Sequence, residues 1–215
     1  MPNPSSFRHL NPADLQGRER YQVLTSLIVP RPIGWISTWN ADGAANLAPY
    51  SFFNAFSASP MLVGVSIGRR QGVPKDTIRN IRETGAFCVN IVSREFLEVM
   101  NASSAEVGPE ADEFLLAGLE AEPARAVKAP RVARAPAVLE CELFREVDLG
   151  EAPNALVIGE VRGVALRKDL ETVPGTSAVD PASLDPVGRL GPDRYSLLGE
   201  VVVLPRPGRP GRGSG

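Results

Sequence analysis

Histidine and cysteine are almost missing from this chain: one of the first and two of the second among 215 residues. The lone His9 lies in a polar, proline-containing opening segment. That leaves no base for a Ser-His-Asp arrangement and too few imidazoles for a histidine-based metal site. Ser37, Ser51 and Ser66 have no partner base nearby in sequence, and the carboxylates are scattered over polar faces. Cys88 and Cys141 make no disulfide framework and fit no zinc spacing; each sits in an apolar, strand-like run and reads as a small buried hydrophobe. No glycine pattern of Rossmann or P-loop type occurs, so any nucleotide must be held another way. No apolar run approaches the roughly 20 residues that cross a bilayer, and residues 1–14 carry no signal-peptide pattern. A cytoplasmic protein without a membrane partner is expected. The net charge of −2 gives no pull on polyanions. Basic residues concentrate only in the tail at 206–212, and no basic stripe with interleaved aromatics runs along the strands, so no nucleic-acid partner is expected. With so few catalytic side chains, no catalytic residue and no metal ligand is nominated. A cofactor should carry the reaction, with the protein supplying orientation and electrostatics.

Turn formers are abundant instead, with 20 Gly and 20 Pro, while 43% hydrophobic and 22% charged residues match an ordinary globular protein. Residues 11–29 place Tyr21, Leu24 and Ile28 at helical spacing, stopped by Pro30-Arg31-Pro32. Residues 33–39 read as a strand, Asp42-Gly43 as a hairpin turn, and residues 45–50 as a second strand. The apolar run 61–67 reads as a strand buried on both faces. Residues 76–84 form a short helix, with Ile78 and Ile81 on one face and Gly85 as its stop. A strand at 87–92 and a helical stretch around Phe96, Leu97 and Met100 follow. Pro123, Pro130 and Pro136 punctuate an extended connection. From 138 to 147, Leu139, Cys141 and Leu143 alternate with Glu140 and Glu142, the pattern of a strand with one wet face. Residues 156–166 and 200–204 are further strands, and 169–192 a long loop. Seven or so strands with short helices argue for a mainly β fold, a small barrel. The organisation expected is a flexible segment at 1–17, one domain at 18–204 and a disordered basic tail at 205–215.

Two stretches carry candidate chemistry. Lys75-Asp76-Thr77 opens a helix, where unpaired N–H groups and a partial positive charge suit a phosphate. Lys75 adds a full charge and Thr77 a hydroxyl, and Arg69 and Arg70 precede them. The plainer reading is that Asp76 or Thr77 caps the helix and the cations stay solvated, the commoner arrangement for these residues alone. The second stretch runs from Asn46 to Asn54, with Pro49, three aromatics and small polar side chains in nine residues. Such a strand offers a flat apolar wall and free backbone groups to a planar heterocycle. Phe52 and Phe53 read as core; for Asn46 through Ser51 a binding role is favoured.

These blocks together resemble the flavin reductase-like family of FMN-binding split-barrel proteins. The resemblance rests on Arg31-Pro32-Ile33-Gly34-Trp35-Ile36-Ser37-Thr38, Asp42-Gly43 and residues 46–54. Lys75-Asp76-Thr77 with Asn80 and Ile81, and Gly85-Ala86-Phe87-Cys88-Val89-Asn90, follow at the family's usual spacing. It covers roughly residues 24–195. It implies a six-stranded Greek-key split β-barrel with short peripheral helices, holding FMN non-covalently in a homodimer. By the same resemblance Asn46, Leu47, Ala48, Pro49, Tyr50 and Ser51 line the flavin ring, while Ser51, Lys75 and Thr77, with Arg69, hold the phosphate. The implied activity is an NAD(P)H:flavin oxidoreductase that passes a hydride from the nicotinamide to the flavin, with an oxygenase or another acceptor downstream. A flavoredoxin-like electron carrier and a non-catalytic flavin-binding protein are the alternatives. The family's Arg-Leu-Gly-Gly pattern with a following Tyr stands here as Arg189-Leu190-Gly191-Pro192 and Tyr195, with Pro192 in place of the second glycine.

Overall fold

The computed structural model describes residues 6–70, 72–105, 112–150, 154–204 and 207. The helix expected at 11–29 is a short 3-10 turn at Pro12–Asp14 and then α1 (Gly17–Leu27). Pro30 and Pro32, which cannot continue a helix, follow. Seven strands build the main sheet: β1 (Gly34–Trp39), β2 (Ala45–Tyr50), β3 (Phe53–Ala58), β4 (Met61–Ile67), β5 (Ala86–Ile91), β6 (Ala137–Asp148) and β7 (Ala155–Leu166). Their spatial order is β2-β1-β5-β6-β7-β4-β3, and every neighbouring pair is antiparallel. Gly43 takes the positive φ of 86° that the β1–β2 turn requires.

The two outermost strands, β2 and β3, are joined by only Ser51 and Phe52. Laid flat, six gaps of about 4.8 Å would separate them by about 29 Å, whereas a link this short reaches about 11 Å. The sheet therefore curls round on itself into a split β-barrel. The seven strands agree with the count read from the residues, and they exceed the six that the resemblance implies because the segment after Ser51 pairs with β4 as a strand of its own.

Closure gives the sheet two faces, each with its own core. One cluster holds Ile36, Val63, Val65, Ile67, Phe87, Val89 and Val157, sealed by Ile78 and Ile81 of α2 (Asp76–Thr84). The other holds Trp35, Leu47, Cys88, Val138, Phe96, Met100 and Phe114, on the side covered by α3 (Leu97–Ala102) and α4 (Glu113–Leu116). Strands β1 and β5 are buried on both faces, whereas Met61 of β4 is exposed and Leu62 half-buried. The apolar run 61–67 is thus less enclosed than its composition suggests. Both cysteines are fully buried, and burial raises both thiols, Cys141 to about 12.

Three further expectations are corrected. Glu140 is not on a wet face: a register slip between Glu140 and Cys141 turns its side chain inward, where it accepts the N–H of Ala126 at 2.6 Å and of Arg125 at 3.1 Å. The proline-punctuated connection contains a two-stranded ladder, Ala121–Pro123 with Pro130–Val132, held to β5 by the Val132 N–H donating to Asn90 Oδ1 at 2.8 Å. Residues 200–204 form no strand; Val201 to Leu204 lie exposed. The loop at 169–192 carries one helical turn, Pro181–Leu184, and the strand Gly188–Arg189, which pairs with Arg31–Pro32. The expected tail at 205–215 lies outside the described residues apart from Pro207.

Glycine is required on β7 where it faces Phe87 of β5. A Cβ on Gly159 would sit 2.4 Å from Cζ of the fully buried Phe87. Gly159→Ala should therefore destabilise the fold by about 1–3 kcal/mol. In urea titrations the midpoint should fall while the slope stays unchanged.

Candidate functional site

Where the barrel closes, β2 ends beside the start of α2 and a cleft of about 430 Å³ opens. That volume lies within the roughly 300–1,000 Å³ of small-molecule sites. Pro49, Tyr50, Ser51 and Phe52 form one wall, with Tyr21 of α1 stacked against Phe52 at 6.2 Å between ring centroids. Lys75, Ser66, Asn154 and Arg189 supply polar groups, and among the described residues no carboxylate lines the cleft.

The cation at the foot of α2 is exposed to a ligand by the helix's own start. Lys75 is the N-cap residue, and no side chain caps this helix. Asp76 pairs with Arg79 instead, so the capping reading of Asp76 and Thr77 does not hold. The first-turn amides, which no intrahelical carbonyl can accept, keep their partial positive charge. Lys75 Nζ stands 5.5 Å from the centre of the Tyr50 ring, with no ion-pair partner among the described residues. Across the cleft, the Ser66 hydroxyl is buried with no hydrogen-bond partner.

Behind the wall runs a chain of four side chains. The Tyr50 hydroxyl donates to Thr77 Oγ1 at 3.0 Å, Thr77 donates to Asn46 Oδ1 at 2.9 Å, and Asn46 Nδ2 donates to Glu113 Oε1 at 3.1 Å. The Leu47 N–H meets the other Glu113 oxygen at 3.3 Å. Burial raises the Glu113 carboxyl above the ordinary carboxylate range, and the N–H donors oppose that. Burial likewise pushes Tyr50 up to about 12.

The sequence-predicted residues therefore separate. Pro49, Tyr50, Ser51 and Lys75 come together in the cleft. Asn46 and Thr77 are buried behind it as supports, with the Thr77 hydroxyl already engaged on both sides. Leu47 is fully buried in the core, and Ala48 packs against the core cluster that holds Tyr50. Arg69 is exposed, and its nearest partner is the Gly72 carbonyl at 3.5 Å. Phe52 and Phe53 are half-buried and Phe56 is exposed, so the aromatic run is not simply core.

A model of the flavin reductase-like domain matches residues 26–178. The chain belongs to the flavin reductase-like family. An uncharacterised protein of Halalkalibacterium halodurans is 37% identical over 92% of this chain and 96% of its own length. Component B of nitrilotriacetate monooxygenase from Bacillus cereus superposes with a TM-score of 0.88 at 32% identity, over 93% of this chain and 99% of that one. The 2-nitrobenzoate 2-nitroreductase of Pseudomonas fluorescens gives 0.83 at 28%, over 96% and 100%. For a flavin reductase-like cleft, these residues suit a flavin nucleotide. Lys75, the uncapped helix start and the unpartnered Ser66 hydroxyl answer a phosphate and a polyhydroxyl chain, and the Pro49–Phe52 wall answers a flat ring.

Arg189, Tyr21, Asn154 and Ser66 enter the cleft from far along the chain. Arg189 alone had a sequence signal, the altered Arg-Leu-Gly-Gly pattern.

The Tyr50 geometry has a pH signature. The folded state holds the Tyr50 proton to about pH 12, whereas the unfolded chain releases it near 10. Its contribution to stability is thus complete below pH 10 and lost as pH rises to 12. Tyr50→Phe should cost about 1 kcal/mol at pH 7 and flatten the loss of stability between pH 10 and 12, measured by denaturation at each pH.

Proposed function

We propose that this protein binds FMN in the cleft and works as an NAD(P)H:flavin oxidoreductase in the cytoplasm, as a homodimer. The observation that carries the reading is a cation-bearing cleft with one aromatic wall and no carboxylate among its described lining residues, in a chain of the flavin reductase-like family. When bound, FMN supplies the redox chemistry, accepting a hydride from NADH or NADPH and passing electrons onward.

The chain's own residues bind and orient. Lys75, the uncapped start of α2 and Ser51 hold the phosphate, and the unpartnered Ser66 hydroxyl donates to an oxygen of the ligand. Pro49, Tyr50 and Phe52 lie along the ring and exclude water from one side of it. Thr77 and Asn46 keep Tyr50 in place from behind, and the backbone from Asn46 through Ser51 presents polar groups to the ring edge. Arg69, one residue beyond Gly68 of the cleft wall, would add its charge to the phosphate. No side chain need act as a general base, since hydride transfer asks chiefly for orientation of two stacked rings.

A second subunit suits the surface around the site. Leu24 and Ile28 of α1, with Phe56, line a groove of about 340 Å³ that continues from Ser51 and Phe52, and all three are exposed. An oxygenase as downstream acceptor is supported by the likeness to a monooxygenase component.

Purified protein mixed with FMN should oxidise NADH or NADPH in steady state; absence of turnover with both nucleotides would sink the reductase reading and leave an electron carrier or a storage protein. Lys75→Ala should weaken FMN binding by about 1–3 kcal/mol, read by quenching of flavin fluorescence. Unchanged affinity would remove Lys75 from the phosphate site.

A further inference from the structure

Two arginines, one lining the cleft and one buried beside it, lie opposite each other with no counter-ion among the described residues. The ladder Arg31–Pro32 with Gly188–Arg189 places Arg31 directly opposite Arg189. Arg31 is buried, at 5% exposure. Its Nη1 donates to the carbonyls of Thr25 at 2.5 Å and Ile28 at 2.9 Å, and its Nε to Ser51 Oγ at 3.4 Å. Arg189 lines the cleft and donates to Gly191 O at 2.7 Å, to Pro192 O and to the Tyr195 hydroxyl. Its guanidinium lies over the Tyr195 ring, 4.5 Å from the centre, and the Tyr195 hydroxyl in turn donates to Asn101. Every acceptor is a neutral oxygen. Neither arginine has a carboxylate partner among the described residues, although eight ion pairs are formed elsewhere.

Like charges held this close, one of them desolvated, repel each other and persist only where something compensates. Burial, and then the Arg189 charge, hold the Arg31 guanidinium below its ordinary value, with Tyr21 acting in the opposite sense. Lys75 and the start of α2 already answer one anionic group of a ligand. The arginine pair is a separate cationic pole, carried by different elements.

We infer that Arg31 and Arg189 form a second anion-binding pole of the cleft, which takes the pyrophosphate of the nicotinamide dinucleotide. This deepens the reductase reading and rests on it for the identity of the donor. Arg189 makes the contact, since it lines the cleft and its planar fork is already oriented by Tyr195. Arg31 is the positioning residue: buried, tied to α1 and to Ser51, it adds charge from behind. No bond is made or broken in this step.

Arg189→Ala is the decisive variant, because Arg31→Ala removes the donors to two α1 carbonyls and is prone to unfold. Binding of NAD+, NADP+ and inorganic pyrophosphate to the FMN-loaded protein is measured by calorimetry, beside FMN affinity and thermal unfolding. The expected result is a tenfold or greater loss of nucleotide and pyrophosphate affinity, FMN affinity within twofold of the parent, and partial recovery with Arg189→Lys. The KM for NAD(P)H should rise more than kcat falls. A loss confined to FMN would assign the pole to the flavin phosphate and overturn the inference. Unchanged affinities for all ligands would make the pair structural and overturn it equally. Should the parent protein show no NAD(P)H turnover yet bind pyrophosphate through Arg189, the anion pole stands and only the reductase reading falls.

Discussion

A link of two residues governs this molecule. Ser51 and Phe52 carry the chain from one edge of the main sheet to the other, and so short a link leaves a seven-stranded sheet no option but to close. Closure brings the two edge strands to one rim of the barrel. It also sets the end of β2 beside β4 and the first turn of α2. The same two residues that close the barrel thus form the floor of its cleft, and the site is a by-product of the topology.

One run of polar groups behind that floor is fully engaged, whereas the buried Oδ1 of Asn80 on α2 and Nε of Arg131 find no partner among the described residues. Tyr50, Thr77, Asn46 and Glu113 form one continuous chain in which each donor has an acceptor. A buried polar group without a partner costs roughly 1–3 kcal/mol, so this chain fixes the wall more firmly than packing alone. In front of the floor the balance is reversed. Lys75 and Arg189, with Arg31 buried behind them, lack carboxylate partners among the described residues, and the Ser66 hydroxyl lacks any partner there. The described residues thus leave the cleft with positive charge that no carboxylate offsets, which the proposed anionic ligand would relieve.

Local signals were read well where the physics is local. Helix α2 begins at Asp76 and ends at Thr84 as its periodicity indicates, because Gly85 adopts the left-handed φ of 72° that stops a helix. Strands β1 and β2 follow from an apolar run, a two-residue turn signal and a second run. Failures came where a neighbour distant in sequence decides. Strand β3 shows no alternation because Asn54, Ala55 and Phe56 all lie on the surface. Glu140 looks solvent-facing until a register slip carries it to the amides of Arg125 and Ala126. Residues 200–204 have strand composition but no strand beside them.

Motif resemblance and composition were enough by themselves to indicate the family and the β-rich class and to group Pro49 through Ser51 with Lys75, which line one cleft. These depend on short-range features: residue types, turn chemistry and the start of one helix. Only the tertiary structure decided that Thr77 and Asn46 support the cleft from behind while Arg189, Tyr21, Asn154 and Ser66 enter it. The reason is closure of the barrel, which brings residues more than a hundred positions apart to one rim, and no pattern along the chain encodes that distance.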